Sequence, residues 1–114
     1  MRFMMMVKHG ENPGAPPKAL MDAMDKLVES NVKDGSMIST GGLAPMAQST
    51  RVRVAKGKLT VTDGPFTEAK EIVGGFAIIN AKSKEDAIRI TKDFLNIAGD
   101  GETEIRQLYE QPAK

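Results

Sequence analysis

Asp63, His9, Glu68, Arg51 and Arg106 are the residues of this chain whose chemistry could be more than structural. A carboxylate at Asp63 could accept a proton or hold a polar ligand if the turn Asp63-Gly64-Pro65-Phe66 aims it into a cleft. The same stretch has a purely structural use. An aspartate heading a turn bonds nearby backbone, Gly64 takes angles that a residue before proline otherwise resists, and Phe66 plugs the core. His9 is the single histidine, and beside Asp63 it would complete a general acid–base pair. Arg51 and Arg106 could hold an anionic group, or pair with Glu68 or Glu71 across a sheet. Arg106, sharing a strand face with Leu108, is expected to be partly buried. Met46 and Phe66 would give the same cleft an apolar wall. Catalysis is thus assigned to Asp63 and His9, and ligand binding to Arg51, Phe66, Glu68, Arg106 and Met46.

The rest of the composition narrows the chemistry. A chain of 114 residues is one domain. Without cysteine it has neither disulfides nor thiolate metal sites, which fits a reducing cytoplasm. No His, Asp and Glu set has metal-ligand spacing, so no metal and no cofactor is expected. Gly41-Gly42 and Gly74-Gly75 lack the Lys-Ser/Thr of a phosphate loop. Sixteen basic against fifteen acidic residues leave no electrostatic footprint for nucleic acid or an anionic membrane. Four Phe and one Tyr offer few stacking platforms for bases. No apolar run approaches the roughly 20 residues that span a bilayer. The opening Met1-Arg2-Phe3-Met4-Met5-Met6-Val7 turns polar at Lys8 and reads as a first strand rather than a signal peptide.

These residues need a scaffold, and the periodicities supply one. Residues 3–7 are apolar on both faces, as in a central strand. A Gly- and Pro-rich loop, containing His9, runs over 8–17. Leu20, Met24, Leu27, Val28 and Val32 recur at helical spacing, stopped by Asp34-Gly35. A short strand over 36–40 leads to an irregular connection over 43–49. Alternation over 51–55 and 58–62 around Lys56-Gly57 predicts a tight hairpin, apolar on one face and so half exposed. A long strand over 72–81 contains Gly74-Gly75, a bulge or close-approach signal. Ser83 and Asp86 form a capping-box-like start for a second helix. The last strand covers 103–109, with Ile105 and Tyr109 on one face, and the tail 111–114 is expected to fray.

Without the hairpin the order is βαββαβ, so the expected fold is α+β and ferredoxin-like with an inserted β-hairpin. Two helices cover one face of such a sheet. Met4 and Met6, or their opposite-face neighbours, must then be covered by something else, and a homodimer is the economical cover.

Asp63-Gly64-Pro65-Phe66, followed by Glu68, Lys70, Glu71 and Gly75-Phe76, resembles the DGPF domain within the YCII-related family. The opening Met1-Arg2-Phe3-Met4, the Arg51-Val52-Arg53 strand, the approach Thr60-Val61-Thr62 and the closing Glu104-Ile105-Arg106-Gln107 share the resemblance, which covers nearly the whole chain. It implies a dimeric alpha-beta barrel in the bacterial cytoplasm. It also implies no settled biochemical activity, and a role beside sigma-factor transcription machinery. The residues themselves suggest a small polar or anionic ligand near the turn, with a lyase or isomerase step if the site is catalytic; the alternative is a non-catalytic regulatory module in which the same residues brace the fold. Relatives of this type are suspected enzymes with a His-Asp pair whose histidine lies near the start of the first helix. Here that helix begins Pro17-Lys18-Ala19-Leu20, so that pair is not carried over.

Overall fold

The computed structural model describes residues 1–9, 17–66 and 72–110, the side chains of His9 and Ile72 excepted. Glu68, Lys70, Glu71 and the tail 111–114 lie outside the described residues. The elements are β1 (Arg2–His9), α1 (Lys18–Asp34), β2 (Met37–Gly42), a 3-10 turn (Met46–Gln48), β3 (Thr50–Ala55), β4 (Lys58–Asp63), β5 (Ile72–Asn80), α2 (Lys84–Ala98) and β6 (Glu102–Gln107).

The apolar β1 lies inside the sheet, as its two-faced pattern requires. Four antiparallel strands run in the order β2-β5-β1-β6, the ferredoxin-like arrangement. Side chains alternate across a strand, and the register sorts them. Phe3 faces Ile79 and Met5 faces Ala77 on the side that meets α2 through Ala87 and Ile90, and these form the core with Ala81. Ile79 is wholly buried, and such a side chain contributes about 1.5–3 kcal/mol. Met4, Met6, Phe76 and Ile78 lie on the other side, half-buried.

The helices end where their sequences say. Gly35 takes φ 83° to close α1, its N–H donating to the carbonyl of Val32, a conformation glycine reaches without penalty. Ser83 Oγ accepts from the N–H of Asp86 at 3.1 Å. Asp86 reaches back to the N–H of Lys82 at 2.9 Å, one residue beyond the usual capping-box partner. Inside α2, Thr91 is buried and its hydroxyl donates to the carbonyl of Ala87 at 2.8 Å.

Three expectations are corrected. His9 closes β1, paired with Ile72, and does not belong to the following loop, because β5 extends far enough to partner it. The last strand stops at Gln107, and Tyr109 is fully exposed. The hairpin is not half exposed. Among the described residues β3 and β4 pair only with each other, and every residue of both is exposed, because no other described element lies against the apolar side.

The hairpin turns at Lys56 and Gly57, both at positive φ, as a two-residue hairpin with right-handed twist demands. At the sheet, both readings of Gly74-Gly75 hold. The β1–β5 register shifts between Val7 and Lys8 opposite them. A Cβ on Gly75 would also stand 3.3 Å from the carbonyl oxygen of Gly41.

Candidate functional site

The turn Asp63-Gly64-Pro65-Phe66 is fastened at the base of the hairpin by three contacts. Gly64 donates its N–H to the carbonyl of Ser49 at 2.7 Å. Thr50 Oγ1 donates to Asp63 Oδ1 at 3.2 Å. The Arg51 guanidinium lies over the Phe66 ring, 3.9 Å from its centroid, within cation–π range. Phe66 is half-buried and outside the core cluster, so it supports Arg51 rather than plugging the core. Gly64 is required by proximity: a Cβ there would come within 2.5 Å of the Met46 carbonyl oxygen.

This pinned turn backs an open cleft of about 340 Å³, lined by Leu43, Ala44, Pro45, Met46, Gln48, Ser49 and Val73. Met46 is therefore a wall residue. Leu43 ties this wall to β5, donating its N–H to the carbonyl of Gly74 at 2.9 Å. Val73 pairs across the register with Lys8, which brings a charged cluster of the open sheet side close to the cleft. Lys8 Nζ lies 2.9 Å from Glu104 Oε1, their side chains 23% and 34% exposed. Arg106 Nη2 donates to Glu104 Oε2 at 2.7 Å. The hydrogen bond from Lys8, then that from Arg106, holds the Glu104 carboxyl below the ordinary carboxylate range.

Arg106 requires a correction. Its side chain is 75% exposed and paired with Glu104, two residues before it. β6 is an outer strand, with no described strand on its far side. Asp63 is exposed on the hairpin, which is not hydrogen-bonded into that sheet. The contact of Asp63 is with Thr50, and that of Arg106 is with Glu104. Glu68 falls outside the described residues, as does the side chain of His9.

The sequence reading did not anticipate a second, larger cleft of about 560 Å³ between α1 and the sheet, lined by Met5, Met24, Leu27, Val28 and Met37 among others. Asn31 and Thr40 are its polar side chains, and Gly41, Gly42, Gly74 and Gly75 also border it. The signal available was those two glycine pairs in neighbouring strands, which withhold side chains under a helix. Among the described residues no His, Cys, Asp and Glu group could hold a metal ion. No described helix is long and apolar enough to cross a membrane.

Comparison with known proteins decides the family. The model of the YCII-related domain matches residues 1–111. The chain belongs to the YCII-related family. This YCII-related chain is 32% identical over 78 residues to an uncharacterised protein of Rhizobium meliloti (strain 1021), a match covering 68% of this chain and 63% of that protein's length. Its backbone is also similar to a solved 5-chloro-2-hydroxyhydroquinone dehydrochlorinase from Burkholderia phenoliruptrix, in complex with 2,5-dihydroxybenzoquinone. That likeness has a TM-score of 0.46 at 13% identity, over 97% of this chain and 96% of the other. Similarity at that level says nothing about the ligand of the YCII-related chain.

Proposed function

We propose that this YCII-related protein binds a small polar or anionic molecule in the cleft beside the Asp63-Gly64-Pro65-Phe66 turn, in the bacterial cytoplasm. The observation that carries the reading is the seating of Gly64 on the Met46 carbonyl, which sets the turn against the cleft wall. Gln48 and Ser49 give the cleft hydrogen-bonding groups, while Met46 and Val73 give it apolar surface. Lys8, across the register from Val73, is paired with Glu104. The larger cleft under α1 has only Asn31 and Thr40 as polar side chains in a mainly apolar lining, so it suits a polar ligand less. A lyase or isomerase step would add a base to this binding site, with Asp63 and His9 as the candidates.

The test is calorimetric titration with a panel of small carboxylates and phosphates, on the parent protein and on Val73→Trp, which fills the cleft. Binding by the parent that Val73→Trp abolishes supports the site. Binding that survives the substitution, or none across the panel, overturns it. A turnover assay on any ligand found, with Asp63→Asn alongside, separates binding from catalysis.

A further inference from the structure

We propose that the cleft between α1 and the sheet is a second binding site, independent of the one beside the turn. Its occupant is a neutral, largely apolar molecule of about two rings carrying one hydroxyl or carbonyl group. The inference starts from a contrast between the helices. α2 buries Ala87, Ile90 and Thr91, whereas no residue of α1 is buried and none belongs to the core cluster. Met24, Leu27, Val28 and Asn31 nevertheless line the cleft, at the spacing of a single helix face. A helix stripe of this kind ordinarily closes onto its sheet, but here about 560 Å³ lies between them. That volume falls within the roughly 300–1,000 Å³ of small-molecule sites.

The sheet makes the space by a graded loss of side chain. On the helix side the register sets three rows across the strands: Met37, Ile79 and Phe3; Thr40, Ala77 and Met5; Gly42, Gly75 and Val7. Along β5 the floor therefore falls from isoleucine through alanine to glycine. A Cβ on Gly42 would meet nothing within 4 Å among the described residues. Clearance from neighbouring atoms does not require that glycine, and its effect is to leave the third row unfilled.

The walls select the guest. Met5, Met24 and Met37 are soft side chains that adapt to an apolar shape. Of the two polar side chains, Thr40 is committed, its hydroxyl donating to the Phe76 carbonyl at 3.0 Å. The Asn31 backbone carbonyl accepts from Ser36 Oγ at 3.4 Å, while its side-chain amide has no hydrogen-bond partner among the described residues. That amide is a donor and an acceptor, enough for one hydroxyl or carbonyl on an otherwise apolar guest. A charged guest would give up its hydration against mainly apolar walls, a cost that one amide does not return.

The chain has no tryptophan, so the fluorescence of 1-naphthol reports its own binding. The parent is titrated with 1-naphthol, naphthalene and 1-naphthoate. Gly42→Leu, which fills the cleft from the sheet, and Val28→Phe, which fills it from the helix, are titrated with 1-naphthol, and Asn31→Leu with 1-naphthol and naphthalene. Far-UV circular dichroism identifies the folded variants. The expected results are saturable binding of 1-naphthol by the parent, and binding weaker by about tenfold or more for 1-naphthoate and for each folded filling variant. Asn31→Leu should bind 1-naphthol roughly fivefold more weakly and naphthalene as the parent does. A parent that binds no 1-naphthol saturably overturns the proposal. So does 1-naphthol binding undiminished in a folded filling variant, or 1-naphthoate bound as tightly as 1-naphthol. An Asn31→Leu variant that matches the parent for both probes overturns the role given to the amide.

Discussion

A Cβ on Gly64 would stand 2.5 Å from the carbonyl oxygen of Met46, with Ser49 O at 3.3 Å. Backbone presses on backbone there, and neither side has a flexible end to swing away. Gly64→Ala should therefore displace the turn from the cleft wall at a cost of about 1–3 kcal/mol. Chemical denaturation gives that number. An alanine variant as stable as the parent would contradict the contact.

Ile79 and Val54 are both aliphatic strand residues, and the fold treats them oppositely. Ile79 is fully buried while Val54 is 66% exposed. Ile79→Ala should cost about 2–5 kcal/mol. Val54→Ala in the dilute single chain should stay within about 0.5 kcal/mol. Equal costs in urea unfolding would show that the hairpin packs on the body after all.

Acid should destabilise the protein with a recognisable origin. Glu104 is lowered by its hydrogen bonds from Lys8 and Arg106, Asp86 by the Lys82 N–H and by Arg89, and Asp34 by Ser36. Each folded-state pKa lies below its unfolded value. Their stabilisation is thus complete above the unfolded carboxylate range, about 4, and is lost as pH falls through the lower folded values. The thermal midpoint should be level near neutrality and decline below about pH 4.5. Glu104→Gln should make that decline shallower; an unchanged acid slope would remove Glu104 as a contributor.

The elements themselves were legible because each follows from local pattern. Two-sided apolarity put β1 at the centre of the sheet, and Gly35 and Ser83 marked helix ends through backbone requirements that few residues meet. Partners were less legible. Alternation places Arg106 on a strand face, but does not say that Glu104 two positions earlier will hold it, or that β6 is an outer strand. Alternation in β3 and β4 shows that one side wants cover, yet the covering surface is a matter of tertiary geometry. At Gly64 the sequence pointed to backbone angles, whereas the restriction is the Met46 carbonyl, eighteen positions away along the chain. Clefts were least visible, since they are made by residues that fail to fill space, as at Gly41-Gly42 and Gly74-Gly75.

The hydrogen bond between Gly64 and Ser49 also means that the fourteen residues from 50 to 63 leave and re-enter the body through a single doorway. A chain shortened to join 49 directly to 64 would ask almost nothing of the remaining backbone, because those two ends already touch. The excursion is thus separable hardware, free to be lengthened, trimmed or rewritten without renegotiating the architecture it projects from.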